Sequence, residues 1–194
     1  MHRALVADIV GSAAVIKRTP FDWLICPPAS AAKMIAGDRY YPEHISGLEC
    51  SPGSPPRWPA VGDCYFWHEP KDVSSEPDSF FAKFEHISQT LRGVTEFTRR
   101  ICFVANTQDN LADEVQATAP IPYTFTDEAI DHLAAAVSER FGAALYVVST
   151  PTRHELTTPA NLDRLLLMDI TPGIRGSDSD WSAVFRTMLR RSTT

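Results

Sequence analysis

The sequence predicts an α/β or α+β fold, a single domain in which a central mixed sheet of about five strands is packed by four to five helices. An amphipathic helix runs directly into a short apolar strand between residues 126 and 149. Further apolar runs, rich in β-branched and aromatic residues, alternate with helical patterns along the chain. The chain has 194 residues, 44% hydrophobic and 22% charged, as expected for one globular domain spanning residues 1–194.

The helix and strand at residues 126–149 give the strongest local signal. Thr126 is a typical N-cap, and Asp127 and Glu128 place negative charge where the helix dipole favours it. Gly142 stands where a left-handed residue ends a helix, and the apolar residues 143–148 suit a strand buried on both faces. Residues at helical spacing form one apolar face: Ile130, Leu133, Ala134, Val137 and Phe141.

The chain starts with an apolar stretch that we interpret as an amphipathic first helix, with Leu5, Ile9, Ala13 and Ile16 on one face. A signal peptide is disfavoured because Asp8 interrupts the apolar part and basic residues follow it. The stretch is also too short to span a membrane. We therefore expect a cytoplasmic protein.

Residues 21–26 predict a strand that ends at two prolines, and residues 29–36 a short helix that ends at Gly37. Residues 40–60 then show no periodicity and contain five prolines and two glycines. This pattern predicts a long Pro-rich loop within the domain. Such loops are often functional or mobile, and the alternative is a surface segment that covers a sheet edge.

Residues 64–67 and 101–105 predict two more strands, with the longest helix between them. Ser75 and Asp78 resemble a capping box at the start of that helix. Gly93 indicates either a close packing contact or an early end. The apolar face predicted for this helix consists of Phe80, Phe84, Ile87, Leu91 and Val94.

The last third of the chain leaves one choice open. Thr158 and Pro159 resemble a helix start, which predicts a helix over residues 160–168. The apolar residues 165–168 fit a strand equally well, and we favour a strand around residues 165–170. A weak helical turn is predicted over residues 111–117, and Ser177 begins a capping sequence for a final helix.

Composition excludes some function classes. A net charge of −6 disfavours binding to nucleic acid and to acidic membranes, and leaves basic proteins, small molecules and metals open as partners. The motifs of serine hydrolases, nucleotide-binding loops, zinc proteases and zinc deaminases are absent from the sequence, so we expect no cofactor and no metal site. The four cysteines form no C-x-x-C pair, which favours reduced thiols. No oligomeric state is indicated.

Three polar segments follow predicted strands: residues 106–110, 149–155 and 169–177. If those strands are parallel, the segments meet at one edge, where open α/β sheets bind ligands. His154 and Glu155 are then candidate acid/base groups, Asp109 and Asp169 candidate metal-binding or catalytic carboxylates, and Arg175 a candidate anion-binding residue. The competing interpretation is a set of solvated turns, since adjacent residues such as His154 and Glu155 point to opposite faces.

Aromatic residues of the Pro-rich loop are candidate partner contacts, namely Tyr40, Tyr41 and Trp58. The alternative is that their rings fold back onto the core. Two hypotheses result. We prefer an acidic interaction module, such as an inhibitor, immunity-type or adaptor protein. The other is a small hydrolase or transferase acting at the strand ends.

Overall fold

A computed structural model describes residues 19–69, 73–93, 102–168 and 177–191 of the chain. The predicted first helix and the residues Asp169 and Arg175 lie outside these ranges. The described helices are α1 (Pro28–Ala36), α2 (Pro77–Arg92), α3 (Asp109–Val115), α4 (Asp127–Phe141), α5 (Pro159–Arg164) and α6 (Asp178–Arg191). The described strands are β1 (Leu24–Ile25), β2 (Arg57–Trp58), β3 (Cys64–Phe66), β4 (Cys102–Asn106), β5 (Phe125–Thr126), β6 (Ala144–Ser149), β7 (His154–Glu155) and β8 (Leu165–Leu167).

The described strands form three separate sheets. The first is antiparallel with the order β1-β3-β2, the second is parallel with the order β4-β6-β8, and β5 pairs with β7 in parallel. The mixed α/β class is therefore confirmed, whereas one central mixed sheet of about five strands is not. The reason is local: β1 is stopped by prolines after two residues, and β2 enters from Pro55 and Pro56, so neither strand is long enough to extend a large sheet.

The helix α4 and the strand β6 match their prediction closely. The Thr126 hydroxyl accepts a hydrogen bond from the Ala129 amide at 3.4 Å. Gly142 ends the helix with φ at 60°, where its amide bonds to the Ser138 carbonyl. All five residues of the predicted apolar face are buried. The boundary signals at both ends of this helix were sufficient because capping is a local interaction.

The predicted start of the longest helix needs correction. The helix α2 buries Phe80, Phe84, Ile87 and Leu91 as expected and ends at Gly93, but its N-cap is Glu76 and no side chain caps it. The residues around Ser75 instead form a short 3₁₀ turn over Val73–Ser75.

The ambiguous segment after Thr158 contains both of the predicted elements in succession. Pro159 starts the helix α5, and Leu165 then begins the strand β8 with no intervening turn. The strand pairs with β6 and is shorter than the predicted residues 165–170.

The main hydrophobic core is built around α1 and α4. It joins these two helices to α2, to one face of the antiparallel sheet and to one face of β6. The other face of the antiparallel sheet packs against α3 and residues 119–123, and the other face of β6 packs against α6. Leu145 and Val147 of β6 belong to the main core while Tyr146 and Val148 face α6, so this strand is buried on both faces.

The aromatic residues of the Pro-rich loop are mostly core residues, which corrects their prediction as partner contacts. Tyr40 is fully buried and packs edge-on against Phe21, with 5.8 Å between ring centroids. Trp58 is 3% exposed because it lies in β2, opposite Cys64 of β3. Tyr41 is half-buried, and its hydroxyl donates to the Glu85 carboxylate at 2.5 Å. The rings of Tyr40 and Trp58 therefore stabilise the fold.

Replacing Trp58 with alanine tests this correction. We expect the free energy of unfolding to fall by about 3–5 kcal/mol, because a cavity replaces a buried ring. Leu162→Ala is the control, since Leu162 is 47% exposed and its truncation should change stability by less than about 0.5 kcal/mol. Chemical denaturation of both variants measures the difference. A Trp58→Ala protein as stable as the control would contradict the core role of this ring and support its role as a partner contact.

Candidate functional site

The carboxyl ends of the three parallel strands lie at one edge of their sheet. Asn106 pairs with Val148, and Ser149 pairs with Leu167, so the three strands end at the same edge, where the segments that follow β4 and β6 leave the sheet. This is the arrangement expected from the sequence on the condition that these strands are parallel. Two of the three segments are described by the structure, at residues 106–110 and 149–155.

Asp109 joins the two described segments. Its carboxylate accepts hydrogen bonds from the Thr152 hydroxyl at 2.6 and 2.8 Å and from Nε of Arg153 at 2.8 Å. Arg153 also contacts Asp113 at 3.0 Å through Nη2. The pKa of Asp109 is lowered by the hydrogen bond from Thr152 and, to a smaller extent, by that from Arg153. This carboxylate is already engaged in joining α3 to the segment after β6.

His154 and Glu155 do not join that cluster. They form β7, where His154 pairs with Phe125 and Glu155 with Thr126. Nδ1 of His154 accepts a hydrogen bond from the Leu156 amide at 3.4 Å, and Glu155 is exposed. Within the described residues, no hydrogen bond connects either side chain to Asp109. The structure therefore brings Thr152 and Arg153, rather than the predicted acid/base pair, to this carboxylate.

Two amide side chains at the same edge were not singled out by the sequence interpretation, although both lie in its polar segment 106–110. Gln108 is fully buried, and its Nε2 lies 3.3 Å from Oδ1 of Asn106 and 3.9 Å from the sulfur of Met168. Its Oε1 and both polar atoms of the Asn110 side chain are buried without a hydrogen-bond partner in the described part of the chain. The signal available in the sequence was a polar run directly after a buried strand. An unpaired buried amide is costly and calls for an explanation.

A cleft of about 470 Å³ lies between the antiparallel and the parallel sheet. Its walls are β1 with the preceding turn, the end of β4, the helix α3 and residues 121–123. It is rich in aromatic rings, which belong to Phe21, Trp23, Trp67, Tyr123, Phe125 and Trp181. The rings of Trp23 and His68 pack edge to face, with their centroids 5.4 Å apart. Nζ of Lys83 lies 3.7 Å from the centroid of the Trp23 ring.

The cleft runs along strand edges. Consecutive residues line it, residues 21–26 on one side and 105–107 on the other. Successive side chains of a strand point to opposite faces, so an unbroken run of lining residues indicates contact with an edge. Both strands are end strands of their sheets, since β1 pairs only with β3 and β4 pairs only with β6 among the described strands.

The hydrogen-bond pattern identifies the backbone groups that face the cleft. The Trp67 amide bonds to the Trp23 carbonyl, so in β1 the backbone of Trp23 faces β3 and that of Leu24 faces away. By the same alternation the backbone of Cys26 also faces away from β3. The Thr107 amide bonds to the Val148 carbonyl, so the Asn106 backbone faces away from β6. Leu24, Cys26 and Asn106 therefore present to the cleft N–H and C=O groups that have no backbone partner within the described ranges.

Comparison of the chain with protein-family models, curated proteins and solved structures finds no match. Function is therefore inferred from the geometry of this chain alone. None of the helices in the described ranges is long and apolar enough to cross a membrane. Among those same residues, the acidic, histidine and cysteine side chains do not form a group of three that could hold a metal ion.

The role of Asp109 gives a pH-dependent prediction. Because its pKa is lowered in the folded state, its contribution to stability is present above the unfolded value of about 3.9 and is lost as the pH falls through the folded value. Asp109→Asn should therefore lower the melting temperature at pH 7, and the gap to wild type should narrow below about pH 4. Thermal melts from pH 3 to 7 measure this.

Asp113→Asn is the matched control for that series. Asp113 is more exposed, with 74% of its side chain accessible, and its one ion pair among the described residues is with Arg153. We expect a smaller change at every pH. A gap between Asp109→Asn and wild type that is equal at pH 3 and pH 7 would contradict the assigned role.

Proposed function

We propose that the protein is an interaction module that binds an extended, apolar segment of a partner protein in the cleft between β1 and β4. One observation carries the proposal: two strand edges with unpaired backbone groups line the same cleft. The proposal keeps the interaction role and cytoplasmic location expected from the sequence, and it moves the contact surface from the Pro-rich loop to the cleft.

An extended chain suits this cleft because its backbone can pair with a strand edge. A peptide that adds a strand to an exposed edge gains affinity from main-chain hydrogen bonds and specificity from pockets for alternate side chains. The N–H and C=O groups of Leu24 and Cys26 on one side, and of Asn106 on the other, are available for such pairing. A compact ligand without a peptide backbone would leave most of these groups unpaired.

The side chains of the segment are expected to be apolar or aromatic. Leu111 and Ile121 add aliphatic surface to the aromatic walls, and Asp22 and His68 are the two acidic or basic residues among the described lining residues. Aromatic walls of this kind supply much of the affinity at protein interfaces. The net charge of −6 favours basic residues next to the apolar part of the segment, because complementary charge accelerates association.

A selection from a library of random linear peptides tests the proposal, with Leu111→Arg as the cleft variant. Leu111 lines the cleft, and an arginine there places a charge in an apolar wall. We expect selected peptides to bind Leu111→Arg at least about tenfold more weakly than wild type. Leu162→Arg is the matched control, because Leu162 lies in α5, outside the cleft lining, and is 47% exposed.

Amide hydrogen exchange of the peptide complex supplies the decisive readout. A paired peptide should slow exchange at Leu24, Cys26 or Asn106, whose amides face the cleft, and leave the already bonded amides of Ile25 and Thr107 nearly unchanged. Peptides that bind the cleft variant as tightly as wild type, or that protect none of the outward-facing amides, would refute the proposal.

A second candidate is a hydrolase or transferase site at the carboxyl edge of the parallel sheet. The buried Oε1 of Gln108 and the buried side-chain amide of Asn110 favour it, because they have no hydrogen-bond partner among the described residues and such groups are costly unless a ligand pairs with them.

Gln108→Leu tests this second candidate. We expect it to raise the free energy of unfolding by about 1 kcal/mol, because it removes an unsatisfied oxygen. It should also abolish binding of any small polar compounds that stabilise wild type in a thermal-shift screen. A destabilised variant would mean that this amide serves the fold.

A further inference from the structure

Cys26 and Cys64 face each other across the antiparallel sheet. In the pairing of β1 with β3, Leu24 lies opposite Phe66 and Ile25 opposite Tyr65. The same register, continued by one residue, places Cys26 opposite Cys64, the first residue of β3. Both side chains lie on the face that packs into the main core, so the two sulfur atoms are on the same side of the sheet.

The type of pair brings these cysteines close together. Trp23 and Trp67 form a hydrogen-bonded pair, and the alternation along the ladder makes Cys26 and Cys64 a non-hydrogen-bonded pair. Opposite Cα atoms in such pairs are about 4.5 Å apart. A disulfide spans Cα distances of about 4.4–6.8 Å. The backbone therefore needs no rearrangement to accommodate a bond between the two sulfurs.

The two thiols differ in access. Cys64 is fully buried, whereas Cys26 is partly exposed and lines the cleft. Burial, together with the neighbouring Cys26 thiol, raises the pKa of Cys64 well above its ordinary value. Cys64 therefore stays a protonated thiol, and an oxidant that enters the cleft reaches Cys26 first.

We propose that Cys26 and Cys64 are a redox site that closes to a disulfide on exposure to a hydroperoxide. The Cys26 thiolate attacks the peroxide, forming a sulfenic acid and releasing the alcohol, or water in the case of hydrogen peroxide. The sulfur of Cys64 then displaces the sulfenic hydroxyl, which leaves as water with the Cys64 proton. Two thiols are oxidised, one peroxide is reduced, and a cellular dithiol reverses the bond by exchange.

The disulfide would hold β1, the strand that borders the cleft, in its sheet. Without it, β1 is held in its sheet by the hydrogen bonds of a two-residue strand. A covalent bond between Cys26 and Cys64 attaches the end of β1 to the longer strand β3. This inference depends on the pairing of β1 with β3 and is independent of the occupant proposed for the cleft.

The test is mass spectrometry of the native full-length protein after treatment with hydrogen peroxide and blocking of residual thiols. Trypsin separates the four cysteines onto different peptides, with Cys26 in residues 19–33 and Cys64 in residues 58–71. We expect these two peptides to become linked at peroxide doses that leave no sulfinic acid on Cys26, and dithiothreitol to release them.

Three variants fix the assignment. Cys50→Ser should form the same link as wild type, because Cys50 is exposed and has no part in the site. Cys64→Ala should retain the sulfenic acid on Cys26, which dimedone traps, and Cys26→Ser should leave Cys64 reduced. The proposal is overturned if Cys26 becomes a sulfinic acid without linking, links to another cysteine, or stays reduced at doses that oxidise Cys50.

Discussion

Burial of β6 on both faces is the constraint on which the arrangement of the helices depends. Val147 and Val148 are adjacent and point in opposite directions, yet both are fully buried. A strand with two apolar faces requires a layer on each side. Here α4 and α1 supply one layer and α6 the other. The parallel pairing of β4 and β8 with β6 aligns their carboxyl ends, which is why Asp109 meets Thr152 and Arg153 there.

The cleft follows from the way the two larger sheets share a core. Both sheets turn one face toward α1 and α4, but the end strands β1 and β4 do not pair with each other. Edge strands are a hazard, because their unpaired groups can template association with another chain. In this protein the edges are enclosed by aromatic side chains rather than blocked by lysine or proline along the strands. Under the proposed function, this enclosure would restrict access to a segment that fits the cleft, and such a restriction would supply selectivity.

Local signals in the sequence were sufficient for some elements and not for others. The helix α4 was predicted with both ends because Thr126 and Gly142 act within one turn of the chain. The burial of Tyr40 and Trp58 depends on partners elsewhere, on Phe21 and on the pairing with β3, and proline content carries no information about these contacts. At the site, the sequence indicated which polar segments follow strands but left strand order and direction open, because both depend on pairing between distant segments. The choice of Arg153 over His154 as the partner of Asp109 depends on side-chain direction after the strand ends.

The period of two along a strand links the cleft to the cysteine pair. At Cys26 the backbone points outward in the plane of the sheet, toward the cleft, because the neighbouring Ile25 takes the hydrogen-bonded position opposite Tyr65. The side chain of Cys26 points out of that plane into the main core, where Cys64 lies opposite. Under the two proposals, one residue would offer main-chain groups to a partner and a thiol to an oxidant without conflict between the two. Moving the register of β1 by one residue would remove both features together, because side-chain direction and hydrogen-bond direction alternate in step.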